Sequence, residues 1–225
     1  MRKKGKVSDI FLSIQGEGPY VGARQLFVRF YGCNLKCRYC DTELTAYDKY
    51  TPQELYTVLK SFKTQYHSIA FTGGEPLLQA EFLKVVLGFI KHDGIKVYLE
   101  TNGTLYKQLS GLIDLVDIVA MDIKLPSATG LTPLWDEHRK FLEAAKDKEL
   151  IVKTVITNTT IKDDLILALD LVKSFNDKTV FVLQPNSLEM GDLLLKKIQD
   201  FHHTALEGLK DVRMIPQVHR FIGVK

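Results

Sequence analysis

Six short apolar runs, each followed by a longer segment of helical periodicity, restrict the fold of this chain more than any other feature of its sequence. The runs are LFVRF (26–30), SIAF (68–71), VYLE (97–100), VDIVAMDI (116–123), LIVKTVIT (150–157) and TVFVLQ (179–184). Their length and their content of branched and aromatic residues predict strands. Between them, TPQELYTVLKSF carries Thr51 as an N-cap, Pro52 at the first helical position and Glu54 where a capping box needs it. Residues 80–91 repeat Phe82, Val85, Val86 and Phe89 along one predicted helix face, with Gly94 just past its end. Further helices are expected near 136–146, 162–174 and 190–204. This alternation is that of α/β chains built from parallel βα units. Six such units either curl into an open partial (β/α)6 barrel or lie in an open sheet, and spacing alone does not choose. Short strands at 7–14 and 212–216 are expected to flank them.

With no linker or internal repeat, a single domain over 1–225 is expected, and 45% apolar content is enough for a core without disulfides. The formal charge of +3 is small, so neither nucleic acid nor an anionic membrane is called for as a partner. No stretch approaches the roughly 20 apolar residues of a spanning helix. The basic N-terminus gives way to a mixed segment, unlike a signal peptide. Three clustered cysteines suit a reducing compartment better than a disulfide framework, so a cytoplasmic protein is expected.

Those cysteines, Cys33, Cys37 and Cys40, all fall within YGCNLKCRYCDT (31–42), directly after the first strand. Gaps of three and two residues let three thiolates converge on one soft metal centre. Small buried hydrophobes are the ordinary alternative for cysteine, but the polar neighbours Asn34, Lys36 and Arg38 argue against it. Structural zinc normally takes four protein ligands, and the nearest histidine in sequence is His67. A 4Fe-4S cluster anchored at three irons, with the fourth open to a ligand, is the better candidate.

Ligands of parallel α/β folds collect at the carboxyl ends of strands, where several short polar loops fall. FTGGEP (71–76) offers Gly73 and Gly74 for a tight turn or close ligand approach, and Glu75 as an acceptor for an ammonium. ETNG (100–103) offers Thr101, Asn102 and Gly103, and MDIK (121–124) offers Lys124, which has a carboxylate, the neighbouring Asp122 or solvent open to it. Gln184 can hydrogen-bond adenine or ribose. Upstream, IQGEG places Gln15, Gly16, Glu17 and Gly18 in a loop able to read an amide-rich heterocycle or simply to turn between strands. Arg29 alternates against Phe27 and Val28, and points either into a barrel lumen or to the surface.

The C-x3-C-x2-C spacing with Tyr39 before the last cysteine, followed by TGGEP, resembles the radical S-adenosylmethionine superfamily. That resemblance implies a 4Fe-4S cluster on Cys33, Cys37 and Cys40 whose open iron binds S-adenosylmethionine, and reductive release of a 5′-deoxyadenosyl radical. The whole span from FLSIQGEG through ETNG and QP to PQVHRFIGVK resembles the family of 7-carboxy-7-deazaguanine synthases. Membership implies ring contraction of 6-carboxy-5,6,7,8-tetrahydropterin to 7-carboxy-7-deazaguanine with loss of ammonia, in 7-deazapurine and queuosine biosynthesis. It implies pterin contacts from Ile14, Gln15, Gly16, Glu17, Arg29, Thr101, His219 and the terminal Lys225, with Arg29 on the 6-carboxylate. It implies cofactor contacts from Tyr39, Cys40, Asp41, Gly73, Gly74, Glu75, Gly103, Lys124 and Gln184, and a magnesium ion on the Thr42 hydroxyl. A flavodoxin- or ferredoxin-like reductant and a homodimer follow from the same resemblance. Two rival readings are a glycyl-radical-enzyme activase, which leaves IQGEG, Arg29 and His219 without a role, and a non-catalytic zinc-binding interaction domain.

Overall fold

The computed structural model of the protein describes residues 4–42 and 44–225. Among these residues the strands are β1 (Gly5–Ile14), β2 (Arg24–Phe30), β3 (Asp48–Tyr50), β4 (Ser68–Gly73), β5 (Val97–Thr101), β6 (Ile118–Asp122), β7 (Glu149–Ile156), β8 (Val180–Pro185) and β9 (Val212–Met214). The helices are α1 (Pro52–Ser61), α2 (Ala80–His92), α3 (Tyr106–Ser110), α4 (Pro126–Thr129), α5 (Trp135–Ala144), α6 (Lys162–Phe175), α7 (Asp192–Leu206) and α8 (Val218–Ile222). One sheet runs in the order β3-β1-β2-β4-β5-β6-β7-β8-β9. It is parallel from β2 through β9, with β1 antiparallel to both β2 and β3. The edge strands β3 and β9 do not pair with each other, so the sheet stays open.

The distribution of apolar side chains selects the barrel over a flat sheet covered on both faces. Helices α1 to α7 all contribute to one large core against the outer face of the strands, which supplies Val28, Phe30, Phe71, Leu99, Val119, Val152 and Phe181. Each such fully buried Leu or Phe contributes roughly 2 kcal/mol. The opposite face holds a second, smaller cluster of Phe27, Ala70, Tyr98, Ile118, Ala120, Ile151 and Val182, with no α-helix in it. An inner apolar floor without a covering helical layer is the arrangement of a sheet curled on itself. The expected open partial (β/α)6 barrel is therefore observed, extended by β1 and β3 on one side and β9 on the other.

Local signals account for the element ends. Thr51 Oγ1 accepts from Glu54 N–H (3.3 Å) while Glu54 Oε2 accepts from Thr51 N–H (2.7 Å), which completes the capping box of α1. Helix α2 stops before Gly94, whose φ of +70° suits a residue without Cβ. Its buried stripe is rotated from the expected one: Phe82, Leu83, Val86, Leu87 and Ile90 are buried while Val85 is exposed. Positions 83, 86, 87 and 90 have the same helical spacing as 82, 85, 86 and 89 but lie one residue further round, and Phe89 packs at the margin against Tyr56 (5.1 Å). No helix among the described residues is long and apolar enough to cross a membrane.

Candidate active site

Period-two alternation in the strands builds the site in two tiers. The inward positions that supply the apolar floor are followed, two residues on and nearer the carboxyl ends, by Arg29 on β2, Thr72 on β4, Glu100 on β5, Asp122 on β6, Lys153 on β7 and Gln184 on β8. All six line one cavity of about 790 Å³. The lumen reading of Arg29 is the correct one: its guanidinium stands over the Phe11 ring at 5.6 Å. Around it the polar tier is tied together. Glu100 accepts from Gln15 Nε2 (2.8 Å) and from the Thr72 hydroxyl (2.6 Å). Lys153 pairs with Glu17 and lies 3.8 Å from Asp122, which pairs with Lys124 at 2.8 Å. Burial alone would raise the Glu17 carboxyl, but the charge and hydrogen bond of Lys153, helped by Gln217, hold it well below its ordinary value.

The cysteine loop caps this tier. Cys33, Cys37 and Cys40 are free thiols on the cavity wall. Beside an internal turn, in which Cys40 N–H donates to Cys37 O (3.1 Å), the loop is held from outside at several points: Arg38 N–H donates to Thr129 O (2.9 Å), Asn34 Nδ2 to Thr104 Oγ1 (2.9 Å), and Asn102 Nδ2 to Asn34 Oδ1 (2.8 Å). Tyr39, partly buried, sets its hydroxyl 3.3 Å from Lys124 Nζ. Burial pushes the Cys37 thiol up to about 11, with Asp122 and the neighbouring thiols adding to the rise against Lys124. From the other side the C-terminal residues close in. Val218 N–H donates to Gly16 O (2.9 Å), and the His219 ring lies where a Cβ on Gly16 would be, only 2.0 Å from its Nδ1. Lys225 reaches the cavity with its main-chain O accepting from Ser13 Oγ (2.8 Å).

Of the residues expected at the site, Glu75 and Gly103 do not border the cavity. Gly103 lies behind the wall, where its O accepts from His138 Nδ1 (3.0 Å) and a Cβ would meet Met121. The Glu75 carboxylate does not face outward to receive an ammonium. It is fully buried; Oε1 accepts from Leu77 N–H (3.0 Å) and the Thr101 hydroxyl (2.9 Å), and Oε2 from Asn102 N–H (2.8 Å). Backbone donors of the next turn and of the β5 loop claim it first, leaving the cavity surface to Gly73 and Gly74. Thr101 is likewise spent on Glu75 although it touches the cavity. Burial still pushes Glu75 up to about 7 against these three donors. We expect Glu75→Gln to lose about 2 kcal/mol of stability in denaturant titration, because either amide orientation turns an N–H onto an N–H. Wild-type stability would contradict this assignment.

The site fits a cluster and a nucleoside-bearing cofactor on three observations. The thiols share one wall. The Gly73 and Gly74 backbone presses on the end of β2 and the start of the cysteine loop, where Cβ atoms would meet Phe30 O at 2.3 Å and Gly32 O at 2.1 Å. Gln184 Oε1 and Asp122 Oδ1 are buried acceptors with no hydrogen-bond partner among the described residues, and both residues border the cavity. Among the described residues no three His, Cys, Asp or Glu side chains already converge as a ligand set for a single metal ion. Thr42 borders the cavity and brings one hydroxyl. Glu100, Lys153, Gln217 and Arg220 were not singled out from the sequence. A charge inside an apolar run, as in LIVKTVIT, was the available signal for Lys153.

Residues 27–170 match the profile of the Radical SAM superfamily. The 7-carboxy-7-deazaguanine synthase of Geobacter sulfurreducens is 35% identical over 99% of this chain and 99% of its own length. That of Archaeoglobus fulgidus is 34% identical over 99% and 100%. The crystal structure of QueE from Escherichia coli superposes with a TM-score of 0.65 at 18% identity, covering 96% of this chain and 95% of that one, a likeness of fold. With a superfamily match running from β2 into α6 and relatives aligned from end to end, this chain belongs to the radical SAM superfamily and, within it, to the 7-carboxy-7-deazaguanine synthases.

Proposed function

We infer that the protein is a radical SAM carbon-nitrogen lyase that converts 6-carboxy-5,6,7,8-tetrahydropterin to 7-carboxy-7-deazaguanine with release of ammonia, a step of queuosine biosynthesis. The observation that carries this reading is the single cavity in which the Gln15–Glu17 loop, Arg29 and three free thiols meet. A glycyl-radical-enzyme activase would leave the first two without a role. When bound, the cluster on Cys33, Cys37 and Cys40 and its S-adenosylmethionine supply one-electron cleavage of the sulfonium and hydrogen abstraction from the substrate.

The chain's own residues bind and orient. Arg29, whose inward position leaves its fork facing the cavity, receives the 6-carboxylate bidentately. Both amide hydrogens of Gln15 are committed, to Gln25 Oε1 (3.0 Å) and Glu100 (2.8 Å), and its Oε1 accepts from Glu17 N–H (3.0 Å). Gln15 therefore offers the substrate only its remaining lone pair. With Glu17 and Glu100 it makes an acceptor-rich wall suited to the amino and ring N–H groups of a pterin. Gln184 Oε1 takes a hydrogen bond from the cofactor's nucleoside, and Lys124, fixed by Asp122 and Tyr39, stands beside the cysteine loop to meet its carboxylate. The apolar floor below the polar tier keeps water from the reacting atoms. Thr42 would hold the magnesium ion through its one hydroxyl, and the ion would supply charge to orient the substrate carboxylate. A flavodoxin- or ferredoxin-like reductant and a homodimer of the single 1–225 core belong to the same proposal.

The test is to incubate the reduced, reconstituted protein with S-adenosylmethionine, magnesium and the carboxytetrahydropterin, and to detect the deazaguanine by mass and the ammonia released. Cofactor cleavage without either product would point to another radical reaction. In the same assay Arg29→Ala is expected to keep the cluster but weaken pterin binding by roughly 10- to 100-fold, the worth of charge-assisted hydrogen bonds. Unchanged affinity in a pterin titration would refute the role of Arg29.

A further inference from the structure

The segment from Gln217 to Lys225 walls the cavity from outside the barrel, and one of its side chains joins two loops of different purpose. Gln217 is buried, and its side-chain hydrogen bonds all leave its own element. Nε2 donates to Glu17 Oε1 (2.9 Å) on the substrate loop and to Asp41 Oδ2 (3.2 Å) at the end of the cysteine loop, while Oε1 accepts from the Ser187 hydroxyl (2.6 Å). Ionised carboxylates only accept, so chemistry dictates which way the amide points. Arg220 ties the same Asp41 oxygen from the next turn (2.5 Å). Without the amide, Glu17 and Asp41 would face each other as like charges at the mouth of a partly dehydrated cavity.

We propose that Gln217 is a positioning residue: it latches the C-terminal segment across the Glu17 loop and the cysteine loop, and so sets the distance between bound pterin and bound cofactor. The kinetic consequence rests on the proposed function, whereas the latch itself does not. Hydrogen transfer tolerates little misplacement, since an error of about 1 Å costs on the order of a hundredfold in a positioned reaction. A side chain that bridges the two loops therefore governs how much cofactor cleavage ends in product.

The near-isosteric Gln217→Glu tests this in the reconstituted holoenzyme, because it keeps the volume and sets a third carboxylate between the other two. We expect cluster absorbance like that of the wild type, a pterin KM raised about tenfold (~1.4 kcal/mol), and more cofactor cleaved per product formed. Trypsin cleavage after Arg220, mapped by mass, is expected to be about tenfold faster. Adding Asp41→Asn returns a donor to the new carboxylate and should restore part of the trypsin protection. Wild-type trypsin sensitivity in Gln217→Glu overturns the latch. Faster cleavage with an unchanged KM and unchanged coupling overturns the positioning role. Should the wild-type protein fail to convert the pterin, the proposed function falls, and the trypsin rates still decide the latch.

Discussion

Gly74→Ala is expected to fold and yet to hold little iron and cleave S-adenosylmethionine at least about a hundredfold more slowly, the scale of loss that follows a misplacement of about 1 Å. The reason is a contact between two backbones. A Cβ on Gly74 would stand 2.1 Å from Gly32 O and 3.0 Å from Cys33 N. Neither atom belongs to a side chain that can rotate away. The two segments are also laced together, Gly74 N–H donating to Phe30 O (3.1 Å) and Glu75 N–H to Gly32 O (2.8 Å). The methyl is accommodated only by moving the start of the cysteine loop, and with it Cys33. Gly88→Ala is the matched control: nothing lies within 4 Å of its Cβ position on α2. There the substitution should stabilise by about 0.5–1 kcal/mol through helix propensity. Iron content and cofactor cleavage at wild-type level in Gly74→Ala would show that the Gly-Gly turn does not shape the cluster site.

The same turn shows what the sequence makes legible and what it hides. Gly73 and Gly74 were readable as a place where backbone comes close to something, and the cysteine loop as a ligand set, because both signals are local in sequence. The six parallel strands were readable as well, each being an apolar run bounded by polar loops. Most of the polar tier was not. Glu100, Asp122 and Lys153 lie inside or at the ends of those runs, and a charge within a run discloses its direction only when the parity of the strand and its register against neighbours are known. Arg29 illustrates this limit: its place two residues before the cysteine loop favours the lumen, but only Phe27 on the floor of the barrel fixes the parity of the strand. The inward turn of Glu75 is hidden for a different reason: a residue type tells what a group accepts, not which backbone donors will claim it once the loops fold together. Short elements escaped because they depend on distant partners. β3 is three residues held along β1, and α8 is five residues anchored through Gly16, Glu17 and Asp41. Gln217 carries no signal at all until its two carboxylate partners, 200 and 176 positions away, are brought together.

Lys153→Met is expected to reverse the pH dependence that Glu17 imparts and to lower pterin affinity. Methionine keeps the unbranched stem packed in the barrel and removes only the ammonium. Glu17 then loses the partner that opposes its burial, while Asp122 retains Lys124. Breaking a pair of this kind typically costs 3–5 kcal/mol when fully buried, and roughly 3 kcal/mol is expected here because both side chains keep some exposure. The sign follows from linkage. In the wild type the Glu17 carboxyl is held below its ordinary value of 4.5. Its contribution to stability is present above that value and is lost as the pH falls through the depressed one. In the variant burial outweighs what remains, the Gln217 hydrogen bond and the charge of His219, and shifts the carboxyl upward, so stability is fullest below 4.5 and is lost as the pH rises. The gap in Tm between wild type and variant should therefore widen from acid toward neutral pH. A Glu17 carboxyl that is harder to ionise is a weaker acceptor, so the acceptor wall that meets pterin N–H groups is weakened at its centre. Thermal melts across the acid-to-neutral range, together with a pterin titration at neutral pH, read both effects. A Tm deficit that stays constant with pH would mean that Lys153 acts through packing and that the charge of Glu17 is maintained by other groups.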